Sequence, residues 1–284
     1  MKPATFAYHA PRSLDEALAL LATHGDEGKV LAGGQSLVPA MNFRLARPGV
    51  LIDINRIAAL DFLCVEDGWL RIGALARHLA FERPLAAGPL GRLLPRVARD
   101  VAHLPIRVRG TFAGSLAHAD PAAEWSLVAA TLGAEIVAQS SVGERTLAAD
   151  GFFRTAFTTA LHADEVIVEV RLPQLDEAWR CGFMEFSRRK GDFALAMALA
   201  ALRLEGERIV EARLGVGGAE HRPRRIEAAE QILISEIARP EVLAEAGAAV
   251  AAALDPASDI HASAEYRRDL AQVMTRRAIA EALA

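Results

Sequence analysis

Strand-like and helix-like segments are segregated along this chain, and that order limits its fold more than any single motif. Residues 181–218 carry three apolar runs in succession, CGFMEFSRR, FALAMALAALRLEG and RIVEARLGVGG, with Gly206 at the turn between the last two. From Ile226 onward the apolar spacing turns helical over 226–237, 240–254 and 264–283, with Asp255-Pro256 as a break. Ahead of both lies a mixture of the two kinds of element. Mixed elements, then strands, then helices describe an α+β chain. The middle run fits a strand by its position and a helix by its alanine content, and periodicity alone does not separate the two.

The first half breaks into short pieces. The stretch SLDEALALLATH (13–24) opens with Ser13, carries Glu16 three residues later as a capping box, and closes at Gly25. KVLAGGQSL (29–37) reads as a strand, a glycine turn and a helix start near Ser36; GVLIDIN (49–55) and GWLRIGAL (68–75) read as strands. RHLAFERPL and LGRLLPRVARDVA read as helical pieces interrupted at Pro84 and Pro95. AAEWSLVAATLG fits a helix ending at Gly133, AEIVAQS a strand, and DEVIVEVRLP (164–173) a strand that stops at Pro173. QLDEAW (174–179) has the composition of a linker.

Composition then removes several classes of function. At 284 residues and 52% apolar content, the chain has the length for two domains and enough material for a full core. No apolar run reaches the roughly 18 residues that span a bilayer, and the first residues, MKPATFAYHAPRS, lack the apolar core of a signal peptide, so a cytoplasmic location is expected. Net charge is −4 with both signs interspersed, which gives no electrostatic footprint for nucleic acid. Two cysteines, Cys64 and Cys181, cannot supply the four thiolates that an iron–sulfur cluster usually takes, and the eight histidines show no zinc spacing.

Three stretches can carry chemistry. In AGGQSL (32–37), Gly33 and Gly34 allow close approach to backbone N–H groups, Ser36 adds a hydroxyl, and the nearby charges in sequence are Lys29 and Arg44. A diphosphate here would be held mainly by dipoles, because neither a P-loop nor GxGxxG is present; a plain two-glycine turn explains the stretch equally simply. In RGTFAGSLAHADPAAEW (109–125), Thr111, Gly114 and Ser115 offer hydroxyls and backbone, followed by His118, Asp120 and Glu124. The structural alternative makes Asp120 a helix N-cap with Pro121 at the first helical position. No nucleophile motif accompanies His118 and Asp120. In EFSRRKGDFALA (185–196), three cations precede Gly191-Asp192-Phe193. They read either as a solvated charge run or as a cationic loop facing an acidic partner or cofactor, with Phe193 covering a flat ring.

Together, AGGQSL, RGTFAGSLAHADPAAE and RRKGDFALA, in this order and with LIDIN at 51–55, resemble the FAD-binding medium subunit of the molybdenum hydroxylases, the carbon monoxide dehydrogenase and xanthine dehydrogenase superfamily. The resemblance implies a PCMH-type FAD-binding domain of two subdomains (1–55 and 56–176), then a small C-terminal domain (177–284) with a three-stranded antiparallel sheet and helices. It implies that Ala32, Gly33, Gly34, Gln35, Ser36 and Leu37 lie along the FAD diphosphate and that Thr111, Gly114 and Ser115 form a second wall. Glu124 falls at an acidic cofactor-contacting position, with His118 and Asp120 between it and that wall. Leu161 flanks the flavin or its tail, Phe193 lies near the isoalloxazine, and Lys190 (or Arg188) is a cation for the ring. Two departures stand out: Ala113 replaces a glycine of the usual TIGGS, and Met184-Glu185 occupy the place where some relatives have a lysine.

The resemblance also implies partners: a small subunit with 2Fe-2S clusters and a large subunit with molybdopterin. Electrons would pass from the clusters through FAD to an external acceptor, and this chain would be the flavoprotein subunit of an oxidoreductase with no catalytic side chain of its own. The alternatives are a self-sufficient FAD-dependent oxidase of the vanillyl-alcohol-oxidase type and a non-enzymatic scaffold whose glycine turns are structural.

Overall fold

The structure is a computed structural model that describes residues 1–284. Its first layer is a small parallel sheet. Strand β1 (Ala7–His9) is followed by helix α1 (Leu14–His24), strand β2 (Gly28–Leu31), helix α2 (Leu37–Asn42) and strand β3 (Val50–Asp53). The strands lie in the order β1-β3-β2, all parallel. The N-cap half of the capping box forms, Ser13 Oγ accepting from Glu16 N–H at 3.2 Å, while Glu16 Oε2 accepts from the N–H of Arg12, one residue before the cap, at 2.9 Å. Leu18 and Leu21 bury the inner face of α1.

The second layer begins with β4 (Leu63–Glu66) and β5 (Trp69–Gly73). It continues through α3 (Gly88–Ala98), α4 (Leu104–Arg107), α5 (Phe112–His118), α6 (Glu124–Leu132), β6 (Glu135–Ser140), β7 (Gly143–Ala148), α7 (Ala149–Phe152), the ribbon β8 (Phe153–Thr155) and β9 (Thr158–Thr159), and β10 (Val166–Pro173). Its five-stranded antiparallel sheet has the order β4-β5-β10-β6-β7. Pro95 does not interrupt α3. Leu90, Leu93, Leu94 and Val97 are buried around it, and that packing offsets the one hydrogen bond it cannot make. Asp120 does not cap α6 either: its Oδ1 accepts from Ala122 N–H at 2.9 Å in a local turn, and α6 starts at Glu124.

The third layer contains β11 (Trp179–Phe186), β12 (Ala196–Glu205), β13 (Arg208–Gly217) and the two-residue β14 (Arg224–Arg225), then α8 (Glu227–Leu233), α9 (Pro240–Ala253) and α10 (Ala264–Leu283). The sheet is antiparallel in the order β11-β12-β13-β14, so a short fourth strand joins the expected three. The alanine-rich run is a strand. Its odd positions, Met197, Leu199 and Ala201, join the core of the first two layers. Its even positions, Ala196, Ala198 and Ala200, join a second core with Ala271, Ala278 and Ala282 of α10. Both faces are buried, and small residues let α10 lie close to the sheet.

Two further expectations change. The segment 174–179 is no free linker, since Leu175 and Trp179 are buried and Trp179 opens β11. The helix expected over 226–237 ends at Leu233, because Ser235 (φ 71°) turns the chain back and Ile237 bridges Arg208.

Candidate functional site

The two glycine-bearing loops meet. Gly33 packs against the second loop so closely that a Cβ on it would stand 2.5 Å from Arg109 O and 2.6 Å from Gly110 Cα. Its need for glycine is therefore met inside the protein. Gly34, at φ 72°, makes the left-handed turn into α2, whose N-cap is Ser36 without a side-chain cap bond. The backbone N–H groups of Gly33, Gly34, Gln35 and Ser36 donate to no acceptor in the chain, while Gln35 Nε2 donates to Gly33 O at 3.1 Å. A row of unpaired amides at a helix start, half-buried at Gly33, Gly34 and Gln35, suits an anionic acceptor. Leu37 begins the helix behind this row.

The opposite wall is the start of α5. Thr111 is its N-cap, buried, with Oγ1 accepting from Gly114 N–H at 3.0 Å. The Gly114 amide is thus used inside the helix, and Ser115 N–H bonds to Thr111 O at 3.0 Å. The amides left over are those of Thr111 and Ala113. Ala113 sits with its methyl buried in the core, so replacing the usual glycine costs no access to its N–H. Beneath this wall Phe81, Phe112 and Trp125 pack with ring centroids 5.0–5.3 Å apart. Trp125 Nε1–H donates to His78 Nδ1 at 3.0 Å, and burial pushes the His78 pKa down to about 4, so it accepts as a neutral ring.

Arg44, a neighbour in sequence, donates Nε–H to Lys2 O at 3.4 Å. Folding brings Arg77 and Arg109 to the seam between the loops: Arg77 donates to Arg109 O and, at 2.5 Å, to Asn55 Oδ1. Asn55 Nδ2 in turn donates to Ala32 O at 2.8 Å. No linear motif joins residues 32, 55, 77 and 109. The available signal was the Asn closing LIDIN, whose fold partner only the tertiary structure supplies.

Helix α5 is seven residues long, about 10 Å at 1.5 Å per residue, and leads from this seam to a cleft. At its far end the His118 ring lies 5.0 Å from that of Phe157. The cleft, about 840 Å³, is lined by Asp120, Phe157, Arg188, Phe193, His221 and Arg267 among others. Phe193 is 76% exposed there, an apolar ring without a cover. Lys190 is exposed on the same loop but does not line the cleft, whereas Arg188 does. Leu161 is half-buried against the core, with its N–H on Thr159 Oγ1 at 3.2 Å, and is likewise no part of the cleft. Burial lowers the His118 pKa, and Asp120 partly opposes this.

Glu124, in the first turn of α6, belongs to an acidic cluster. Burial raises its pKa, helped by Asp100 and Asp120. Glu185 lies on the odd face of β11 with Phe183, toward the main core. Burial, then Glu124 and Asp100, push its pKa up to about 9, and its Oε2 is buried without a hydrogen-bond partner. Glu185 therefore carries a proton at neutral pH. No cluster of metal-ligating side chains occurs in the chain.

Unpaired amides on two loops, guanidiniums without an ion-pair partner at their seam and an open aromatic-bearing cleft one short helix away are the features an extended, anionic, ring-containing cofactor would use. The donor set fits FAD: amides for a diphosphate, an uncovered Phe193 for a flat ring. Residues 4–175 match the family described as FAD binding domain in molybdopterin dehydrogenase, and residues 182–282 match CO dehydrogenase flavoprotein C-terminal domain. The chain is 40% identical over 284 residues to the 6-hydroxypseudooxynicotine dehydrogenase complex subunit alpha of Paenarthrobacter nicotinovorans, covering 100% of this chain and 96% of that one. Among solved structures, carbon monoxide dehydrogenase from Hydrogenophaga pseudoflava superposes with a TM-score of 0.96 at 35% identity, over 100% of this chain and 99% of that one. Quinoline 2-oxidoreductase from Pseudomonas putida 86 gives 0.93 at 38% identity, over 99% and 98%.

The chain belongs to the FAD-binding medium subunits of the molybdenum hydroxylases, and it is an oxidoreductase subunit whose cofactor is FAD. The C-terminal match leaves no support for an oxidase cap domain or a cofactor-free scaffold. No helix of the chain is long and apolar enough to cross a membrane.

Proposed function

We propose that this chain carries electrons within a multi-subunit molybdenum hydroxylase, from 2Fe-2S clusters on a small partner subunit through FAD to an external acceptor. A large partner subunit holds the molybdopterin at which substrate is oxidised. The observation that carries this reading is the pair of facing loops with unpaired amides at Gly33–Ser36 and at Thr111 and Ala113. FAD supplies the exchange of one or two electrons that no side chain offers.

The chain's own residues bind and orient. Ala32 to Leu37 form one wall of the diphosphate site, and Thr111, Gly114 and Ser115 the other. Thr111 and Gly114 act by fixing the start of α5 rather than by direct donation, since their hydrogen bond closes its first turn. Asp120 and Phe193, with Arg188 rather than Lys190, line the ring end at the cleft, and His118 stands behind the lining residue Phe157. Glu124 holds an acidic position beside the wall, and Leu161 supports the segment behind it. We assign the working units as 1–55, 56–176 and 177–284, and we place the complex in the cytoplasm, where two unpaired thiols are stable.

Purification of the tagged chain from its native host tests the partner reading. Two co-purifying chains that carry iron and molybdenum support it. A flavin-loaded chain that purifies alone and oxidises a substrate of its own contradicts it.

A further inference from the structure

One side chain ties the two loops together. The backbone on either side of Arg77 pairs with the second loop, His78 N–H donating to Gly110 O and Phe112 N–H to Ala76 O, each at 3.0 Å. From that fixed base the guanidinium reaches Arg109 O with Nη1 and Asn55 Oδ1 with Nη2. Asn55 carries the link to Ala32 O and is itself clamped by Asp53, whose Oδ1 takes the Asn55 N–H at 2.9 Å and whose Oδ2 takes the Tyr8 hydroxyl at 2.5 Å. Carbonyls at the base of each loop are thereby tied down, and the amides of Gly33–Ser36 remain unpaired.

The charge at this seam is unbalanced. All of Arg77's partners are neutral, and neither Arg77 nor Arg109 has a carboxylate within 4.0 Å. Burial, and after it the neighbouring Arg109, lower the Arg77 pKa. A half-buried guanidinium beside a second cation is costly unless an anion joins it, and the chain's nearest carboxylates, Asp61 and Asp53, favour its charge only from beyond ion-pair distance.

We propose that Arg77, latched through Asn55, is a positioning residue of the diphosphate site: it sets the spacing of the two glycine loops and, with Arg109, supplies the cationic field for the anion between them. This rests on the FAD reading above. The same residues explain why the site needs no P-loop lysine, since the cations arrive from outside both loops.

The test is titration of flavin-free full-length chain with FAD, ADP and riboflavin, for wild type, Arg77→Met and Arg109→Met. Arg77→Met should weaken FAD and ADP by about 10-fold to 100-fold, the range of a lost charge-assisted hydrogen bond, and leave riboflavin unchanged. Arg109 is exposed, so its variant retains the fold; it should weaken ADP several-fold, with the loss shrinking as salt rises. Equal losses for ADP and riboflavin in Arg77→Met, or an unchanged ADP affinity in Arg109→Met, would overturn the proposal. If wild type takes up neither FAD nor ADP, the FAD reading itself fails.

Discussion

Replacing Gly33 by alanine tests the meeting of the loops. The added methyl would lie 2.5 Å from Arg109 O and 2.6 Å from Gly110 Cα, both backbone, so no side-chain rotation relieves it. An ordinary contact at such atoms is about 3.5 Å, so the two chain segments must part by roughly 1 Å. Gly33 does not lie in the left-handed region, and alanine carries no dihedral penalty there. The cost is overpacking alone, about 1–3 kcal/mol. The parting also strains the Asn55–Ala32 and Arg77–Asn55 bonds, at 2.8 and 2.5 Å, that cross the same seam. Flavin-free Gly33→Ala should therefore unfold at lower urea and bind FAD at least about tenfold more weakly, equivalent to ~1.4 kcal/mol. Gly34→Ala is the control. Its methyl would meet only the tips of Leu31 and Val38, at 3.0 and 3.3 Å, so it should cost stability through its φ of 72° and spare more of the affinity. Urea unfolding and FAD fluorescence titration read the two effects separately. Wild-type FAD affinity in Gly33→Ala would refute the claim that loop spacing sets the site.

Other outcomes follow from the same geometry. Glu185 is protonated in the folded chain up to about pH 9 and has an ordinary value of 4.5 when unfolded, so the folded state holds the extra proton and stability falls as pH rises across that window. Glu124, raised to about 7, contributes a slope of the same sign at lower pH, so Glu185→Gln should remove the part between about pH 7 and 9 and raise the melting temperature near pH 9; a thermal melt series that keeps the slope above pH 7 would refute the assignment. Phe193 is 76% exposed, so Phe193→Ala should leave the melting temperature of the flavin-free chain within a degree or so, about the ±0.5 kcal/mol of a surface change. It should alter the fluorescence and near-ultraviolet dichroism of bound flavin, and an unchanged flavin signal would remove Phe193 from the ring end.

Much of this fold is legible because its segments are locally consistent. Ser13 and Glu16 cap α1, Gly133 ends α6 at φ 74°, and Pro173 closes β10. The alanine-rich β12 is ambiguous for a physical reason: its two faces serve two cores, so the period-two signal that marks a strand is absent. The edge pieces β1, β4, β7 and β14 are too short or too polar to stand out from turns. At the site, the glycine loops announce themselves, but what each residue does depends on contacts far away in sequence. Gly33 reads as an opening toward a ligand and turns out to face Arg109. Gly114 reads as an available amide and is held by Thr111. Ala113 stands where the usual motif has glycine, and its methyl is buried in the core. Arg77 and Asn55 carry no motif of their own, and only tertiary structure brings them to the seam.

Titration of the flavin-free chain with FAD and with FMN tests the central claim most directly. A site built from two facing rows of amides for a diphosphate should take up FAD to one per chain and bind FMN, which lacks that group, far more weakly. A chain that takes up neither, or that binds FMN as tightly as FAD, contradicts the account.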